Sequence, residues 1–220
     1  MSKQTIATAA LALALAAGVS CVRAQDNPAG DAANGQKKAA MCIGCHGIPG
    51  YRASFPEIHQ VPMISGQGAK YIASALTAYK KGERKHPTMR GIAGSLSDQD
   101  IADVAAFYAS HQRPTAAAAA PAPSAAVAEL LKKGNCASCH GEGLNKPIDA
   151  SYPKLAGQHA DYLYVALKSY KTENNPNVGR GNAIMGGMAK PFTNAELKSL
   201  ADYIGSLPSD LQVVPNAKFR

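Results

Sequence analysis

No tryptophan occurs among the 220 residues, and aromatic side chains make up only 6% of the chain. Much of the 46% apolar content is alanine, so a core built from side chains alone would be thin. Small domains that bury little surface lean on a staple such as a metal, a disulfide or a bulky cofactor. Beyond the first two dozen residues no apolar run is long enough to span a bilayer. No dense Lys/Arg tract is present, which argues against a nucleic-acid binder. No segment shows the alternation of a half-buried strand. Cysteine is scarce as well, at five residues.

What is present begins with a leader. Lys3 is followed by an apolar run, then small residues and the tetrapeptide VRAQ, the pattern of a secretory signal peptide with cleavage expected after Ala24. A lipidated Cys21 is the less favoured alternative, because Gly18 stands where a larger apolar residue is usual. The expected product is exported to the periplasm without stable membrane insertion. It keeps 21 basic and 15 acidic side chains, a balance of +6 scattered over the surface. Such a surface suits an acidic partner face, and export again speaks against nucleic acid.

The remaining four cysteines all lie in two C-x-x-C-H motifs, Cys42/Cys45/His46 and Cys136/Cys139/His140. The motifs belong to a longer repeat. VPMISGQGAKYIASALTAYK (61–80) matches YPKLAGQHADYLYVALKSYK (152–171), and TMRGIAGSLSDQDIADVAAFYAS matches IMGGMAKPFTNAELKSLADYIGS. A single repeat of this length indicates tandem domains rather than a solenoid. The Pro/Ala/Ser stretch between them reads as a linker. The expected division is signal peptide 1–24, first domain 25–113, linker 114–126 and second domain with its tail 127–220. Capping boxes at Ser97/Asp100 and Thr193/Glu196, each followed by apolar residues at helical spacing, make the fold class all-α. The blocks 69–80 and 160–171 share that spacing, and a short helix is expected before each cysteine motif.

Three chemistries compete for C-x-x-C-H. A zinc site needs four ligands, and each half offers one cysteine pair and a histidine. A thioredoxin-like switch needs a βαβ setting and leaves the histidine unexplained. Covalent c-type haem accounts for all five positions: the thiols add across two vinyl groups and the histidine binds iron. Two haems would also supply the apolar bulk that the side chains lack. The repeat nominates Met89 and Met185, 43 and 45 residues after their histidines, as second iron ligands in glycine-containing loops, with Met188 held in reserve. Met41 and Met63 read as filler or surface, and His59, His86, His111 and His159 as solvated or structural. Tyr79, Tyr170, the lysines beside them, Arg84 and Arg180 are candidates for haem propionates or for ordinary packing. Pro62 and Pro153 are candidates to orient the ligating histidines through their carbonyls.

These residues resemble the di-haem class I c-type cytochromes, nearest the cytochrome c₄ type, from about residue 30 to 207. The resemblance rests on both C-x-x-C-H-G motifs, the GQ…Y…Y blocks, the paired methionines and the paired C-terminal helices. It implies two cytochrome c domains facing each other, each around one covalent haem, with propionate edges near the interface. It implies a periplasmic electron carrier, with no catalytic residues, between a respiratory donor and a terminal oxidase. The alternatives are a di-haem enzyme of peroxidase or thiosulfate-oxidising type with one exchangeable ligand, and an electron-transfer subunit of a dehydrogenase. The Ala/Pro linker looks longer than the family's usual connection, and CHGEGLNKPIDASYP departs from CHGIPGYRASFPEIHQVP, so the two haem edges are expected to differ in surroundings.

Overall fold

A computed structural model describes residues 29–112 and 119–215. The leader, Cys21 and its cleavage site lie outside the described residues. In the first half α1 (Ala32–Lys38) starts where the Asp31 carboxylate accepts the N–H groups of Ala33 and Asn34. The cysteine helix α2 (Ala40–His46) follows directly. Strands β1 (Arg52–Ala53) and β2 (His59–Gln60) pair antiparallel and lead to α3 (Ala69–Lys81). After β3 (Arg84–Lys85) come α4 (Pro87–Gly94) and α5 (Asp98–Ser110). The second half repeats the plan with α6 (Ala125–Gly134), α7 (Ala137–His140), α8 (Ala160–Ser169), β4 (Gly179–Arg180), α9 (Ala183–Ala189) and α10 (Asn194–Ser206). Helix α6 begins at Ala125, capped by the Ser124 hydroxyl, inside the stretch that reads as linker.

Both expected capping boxes form. Ser97 and Asp100 satisfy each other's backbone at the start of α5, as do Thr193 and Glu196 at α10. Substituting such a cap typically costs about 1 kcal/mol. The apolar stripes behind them build separate cores. Ile43, Ile72, Leu76, Leu96, Ile101, Val104 and Tyr108 pack in the first domain. Leu144, Leu163, Ile204 and Leu207 pack in the second, beside Phe192, Leu197 and Leu200. Each buried Leu or Ile contributes about 1.5–3 kcal/mol, so neither core is large. A buried Asp103 ties α5 to both ends of α1 by accepting the Asp31 N–H and Lys38 Nζ, and it also accepts Gln99 Nε2 from its own helix.

The matched GQ dipeptides explain how the halves meet. The Gln67 amide donates to the Lys154 carbonyl and accepts the Lys154 N–H, at 3.0 and 2.9 Å. Gln158 treats Met63 the same way, at 2.8 and 3.0 Å. Met63 and Lys154 occupy matched positions, so the two clamps are reciprocal. The glycines before them are needed for a close approach. Both have positive φ, and a Cβ on Gly66 would meet the Asp210 carbonyl at 2.5 Å, while one on Gly157 would meet Ser209 at 2.3 Å. Residues 209–212 therefore run against both halves. Gln212 bridges to Ser65 and donates its side-chain amide to the His111 carbonyl, and Lys154 reaches Asp210 and the Gly66 carbonyl. Gln158→Ala strips partners from both backbone groups of Met63. It is expected to lower stability by about 2 kcal/mol, read as a fall in the denaturant midpoint of the holoprotein. An unchanged midpoint would show that the clamp contributes nothing.

Candidate functional site

Each cysteine motif sits on a short helical turn, which puts the two sulfurs one turn apart beside the histidine. All four thiols are free and half-buried. Burial pushes the Cys42 and Cys136 thiols up. A working dithiol has a lowered pKa, so this environment is the reverse of a thiol switch. Among the described residues no group of three or more His, Cys, Asp or Glu side chains converges, so the donor set of a zinc site is not assembled.

The histidines are held alike. His46 Nδ1 lies 2.8 Å from the Pro62 carbonyl, and His140 Nδ1 lies 2.9 Å from that of Pro153. A carbonyl only accepts, so Nδ1 carries the proton and Nε2 keeps an open lone pair. Burial holds both rings below the usual histidine range, against the opposing pull of the proline carbonyls. Both are therefore neutral and ready to bind a metal at neutral pH.

Met89 and Met185 lie not in loops but at matched third positions of α4 and α9. The His86 ring caps the first helix and Asn182 the second, accepting the Met89 and Met185 N–H groups at 3.3 and 2.9 Å. Met89 packs against the same core that borders Cys42. Met185 is half-buried, while Met188 is 47% exposed. Met63 gives its backbone to Gln158, and Met41 is exposed.

At the interface β3 and β4 pair antiparallel with Arg84 opposite Arg180. Each guanidinium donates to a tyrosine hydroxyl, Arg84 to Tyr71 and Arg180 to Tyr162, both at 3.0 Å. Arg84 also lies over the rings of Tyr71 and Tyr79, and Arg180 over those of Tyr162 and Tyr170. Burial pushes the Tyr71 hydroxyl up. For Tyr170 burial is outweighed by Arg180 and Arg84, which draw its hydroxyl down. Among the described residues neither arginine has a carboxylate partner. The flanking lysines take another role: Lys80 donates to the Leu96 carbonyl and Lys171 to that of Phe192, each tying down the chain ahead of the last helix.

These features fit the parts of a haem. Paired free thiols suit its vinyl groups, a neutral histidine with open Nε2 suits its iron, and unpaired guanidiniums beside tyrosine hydroxyls suit its propionates. Apolar side chains left at the surface beside the motifs, Met41 and Ile48 in one half and Ile148, whose N–H meets the Cys139 carbonyl, in the other, suit its ring. The reciprocal glutamines and the His86 cap have no role in the sequence reading. The repeated GQ marks the first, whereas a histidine before proline carries no comparable signal.

The family model described as Cytochrome c matches residues 32–112 and 124–208. Cytochrome c4 of Azotobacter vinelandii is 37% identical over 81% of this chain and 90% of its own length. A protein described as a thiosulfate dehydrogenase electron acceptor, from Stutzerimonas stutzeri, is 31% identical over 79% of this chain and 82% of its own. The crystal structure of reduced recombinant cytochrome c4 from Pseudomonas stutzeri superposes with a TM-score of 0.59 at 31% identity, covering 81% of this chain and all of that one.

Proposed function

This chain belongs to the cytochrome c family, as a two-domain member similar to cytochrome c4 with two covalent haem c groups, and from that premise we propose how its residues carry single electrons between protein partners. Cys42 and Cys45 anchor one haem and Cys136 and Cys139 the other. His46 with Met89, and His140 with Met185, would ligate the two irons. When bound, haem iron would supply a one-electron change between Fe(II) and Fe(III), and an imidazole and a thioether from this chain would together leave no open position for a substrate. The carrying observation is the matched pair of neutral histidines, each fixed through Nδ1 by a proline carbonyl and each presenting Nε2. Such orientation keeps ligand geometry constant between redox states. Arg84 and Arg180, with the hydroxyls of Tyr71 and Tyr162, hold propionate charge at the interface.

The chain works in the periplasm after export through residues 1–24. Its partners present acidic faces, met by the chain's basic balance through a small transient contact that weakens with salt. Among the described residues no helix is long and apolar enough to cross a membrane. The likeness to an electron acceptor of thiosulfate dehydrogenase supports a second reading of the donor, a periplasmic dehydrogenase in place of a respiratory complex. An anaerobic redox titration with visible spectroscopy tests the carrier. Two haem c per chain, two one-electron steps and a methionine–iron charge-transfer band are expected. A high-spin haem that turns over peroxide or thiosulfate would replace the carrier with an enzyme.

A further inference from the structure

Tyr108 sits on α5 at 4% exposure, and its hydroxyl makes no hydrogen bond of normal geometry, the Cys42 thiol being the polar group that lies beside it. An orphaned buried hydroxyl is costly, and the same ring without it would fill the space equally well. The ring is locked edge-on between Phe107 and His111, with centroids 5.1 and 5.9 Å away. His111 cannot serve as partner through Nδ1, which is engaged with Ser65 Oγ at 3.0 Å. Tyr108 belongs to the core cluster against which Cys42 packs. Burial and then the neighbouring Cys42 push the phenol up, which places the two polar groups side by side.

The second domain breaks the repeat here. The residue matched to Tyr108 is Ile204, also 4% exposed, in the cluster that borders Cys136. The first cysteine of one motif borders a core that holds a hydroxyl, and that of the other borders a core with hydrocarbon at the matched position. A sulfur that has added to a vinyl group has lost its proton and only accepts, so the phenol must be the donor. A thioether on the ring edge does not ligate the iron, but a hydroxyl aimed at it puts the positive end of its dipole beside the buried macrocycle, and that field favours the reduced state, which carries one positive charge fewer.

We propose that the Tyr108 hydroxyl donates to the Cys42 sulfur once that sulfur carries the haem, and so raises the reduction potential of the first centre while leaving the second without such help. The proposal rests on attachment at Cys42, and the haem count checks that separately. Tyr108→Phe keeps the ring and deletes the donor. In the holoprotein the Fe(II)/Fe(III) equilibrium constant of the first haem is expected to fall about threefold, about 28 mV for a one-electron couple. The second haem should stay put, and in ferric-state NMR only the ring-methyl resonances with Overhauser contacts to residue 108 should move. Equal shifts at both haems would mark a general structural effect and overturn the proposal. Unmoved potentials with a higher thermal midpoint would do the same, exposing a hydroxyl that is merely unpaired. A parent protein with fewer than two haem c would instead sink the attachment reading.

Discussion

Met185→Ala is expected to abolish the methionine–iron charge-transfer absorption of one haem and to lower that centre's reduction potential on the order of 0.1 V, within the roughly 0.8 V that axial ligands span. Met188→Ala should leave both quantities unchanged. The contrast follows from position. Met185 occupies the third residue of α9, pinned by Asn182, as Met89 occupies that of α4 under His86. Met188 lies three residues further round a short helix and faces outward. Met89→Ala should reproduce the Met185 result at the other centre. If Met188→Ala removes the band and Met185→Ala does not, the assignment is reversed for that domain. Each spectrum is to be read on protein with both haems attached, so that a lost ligand is not mistaken for a lost cofactor.

Replacing Cys136 and Cys139 together with alanine is expected to unfold the second domain and to remove roughly half of the far-UV helical signal. Its interior holds few large side chains, with Leu144, Leu163, Leu197, Leu200, Ile204 and Phe192 carrying most of the apolar volume. Ile148, next to the second motif, stays at the surface without the ring to cover it. The burial these residues achieve is small beside the roughly 1–2 kcal/mol of backbone entropy lost at every ordered residue. Limited proteolysis should then cut within α8 to α10 while the first domain's helices persist longer. Parent-like helicity and protease resistance in the double variant would show that the polypeptide carries its own core.

Helices were the most legible part of this fold, because periodicity and capping boxes act locally. Ser97/Asp100 and Thr193/Glu196 each show their function in four consecutive residues. The methionine segments read as loops because the glycines of GIAG and GGMA weaken the helical signal. The structure ends that ambiguity with caps from His86 and Asn182. The strands are two residues long, too short for any alternation; β1 and β2 pair within the first half, and β3 and β4 exist because the turns around Arg84 and Arg180 meet across the interface. Repetition made Gln67 and Gln158 visible, yet their purpose lies in a reciprocal contact that neither half contains. Lys80 and Lys171 show the opposite limit: a matched charge beside a matched tyrosine reads equally as a partner for an anion or as ordinary packing, and each satisfies a main-chain carbonyl. The segment after α10 has no counterpart in the first half, so repetition could not point to it.

That segment makes the first domain depend on the far end of the chain. The carbonyls of Ser65 and His111 receive the Gln212 amides, and Gly66 packs against Asp210. About a hundred residues separate the end of α5 from Gln212. A nick anywhere between them would turn an internal contact into an encounter of two separate pieces, so the leading half shares its integrity with the trailing end of its own sequence.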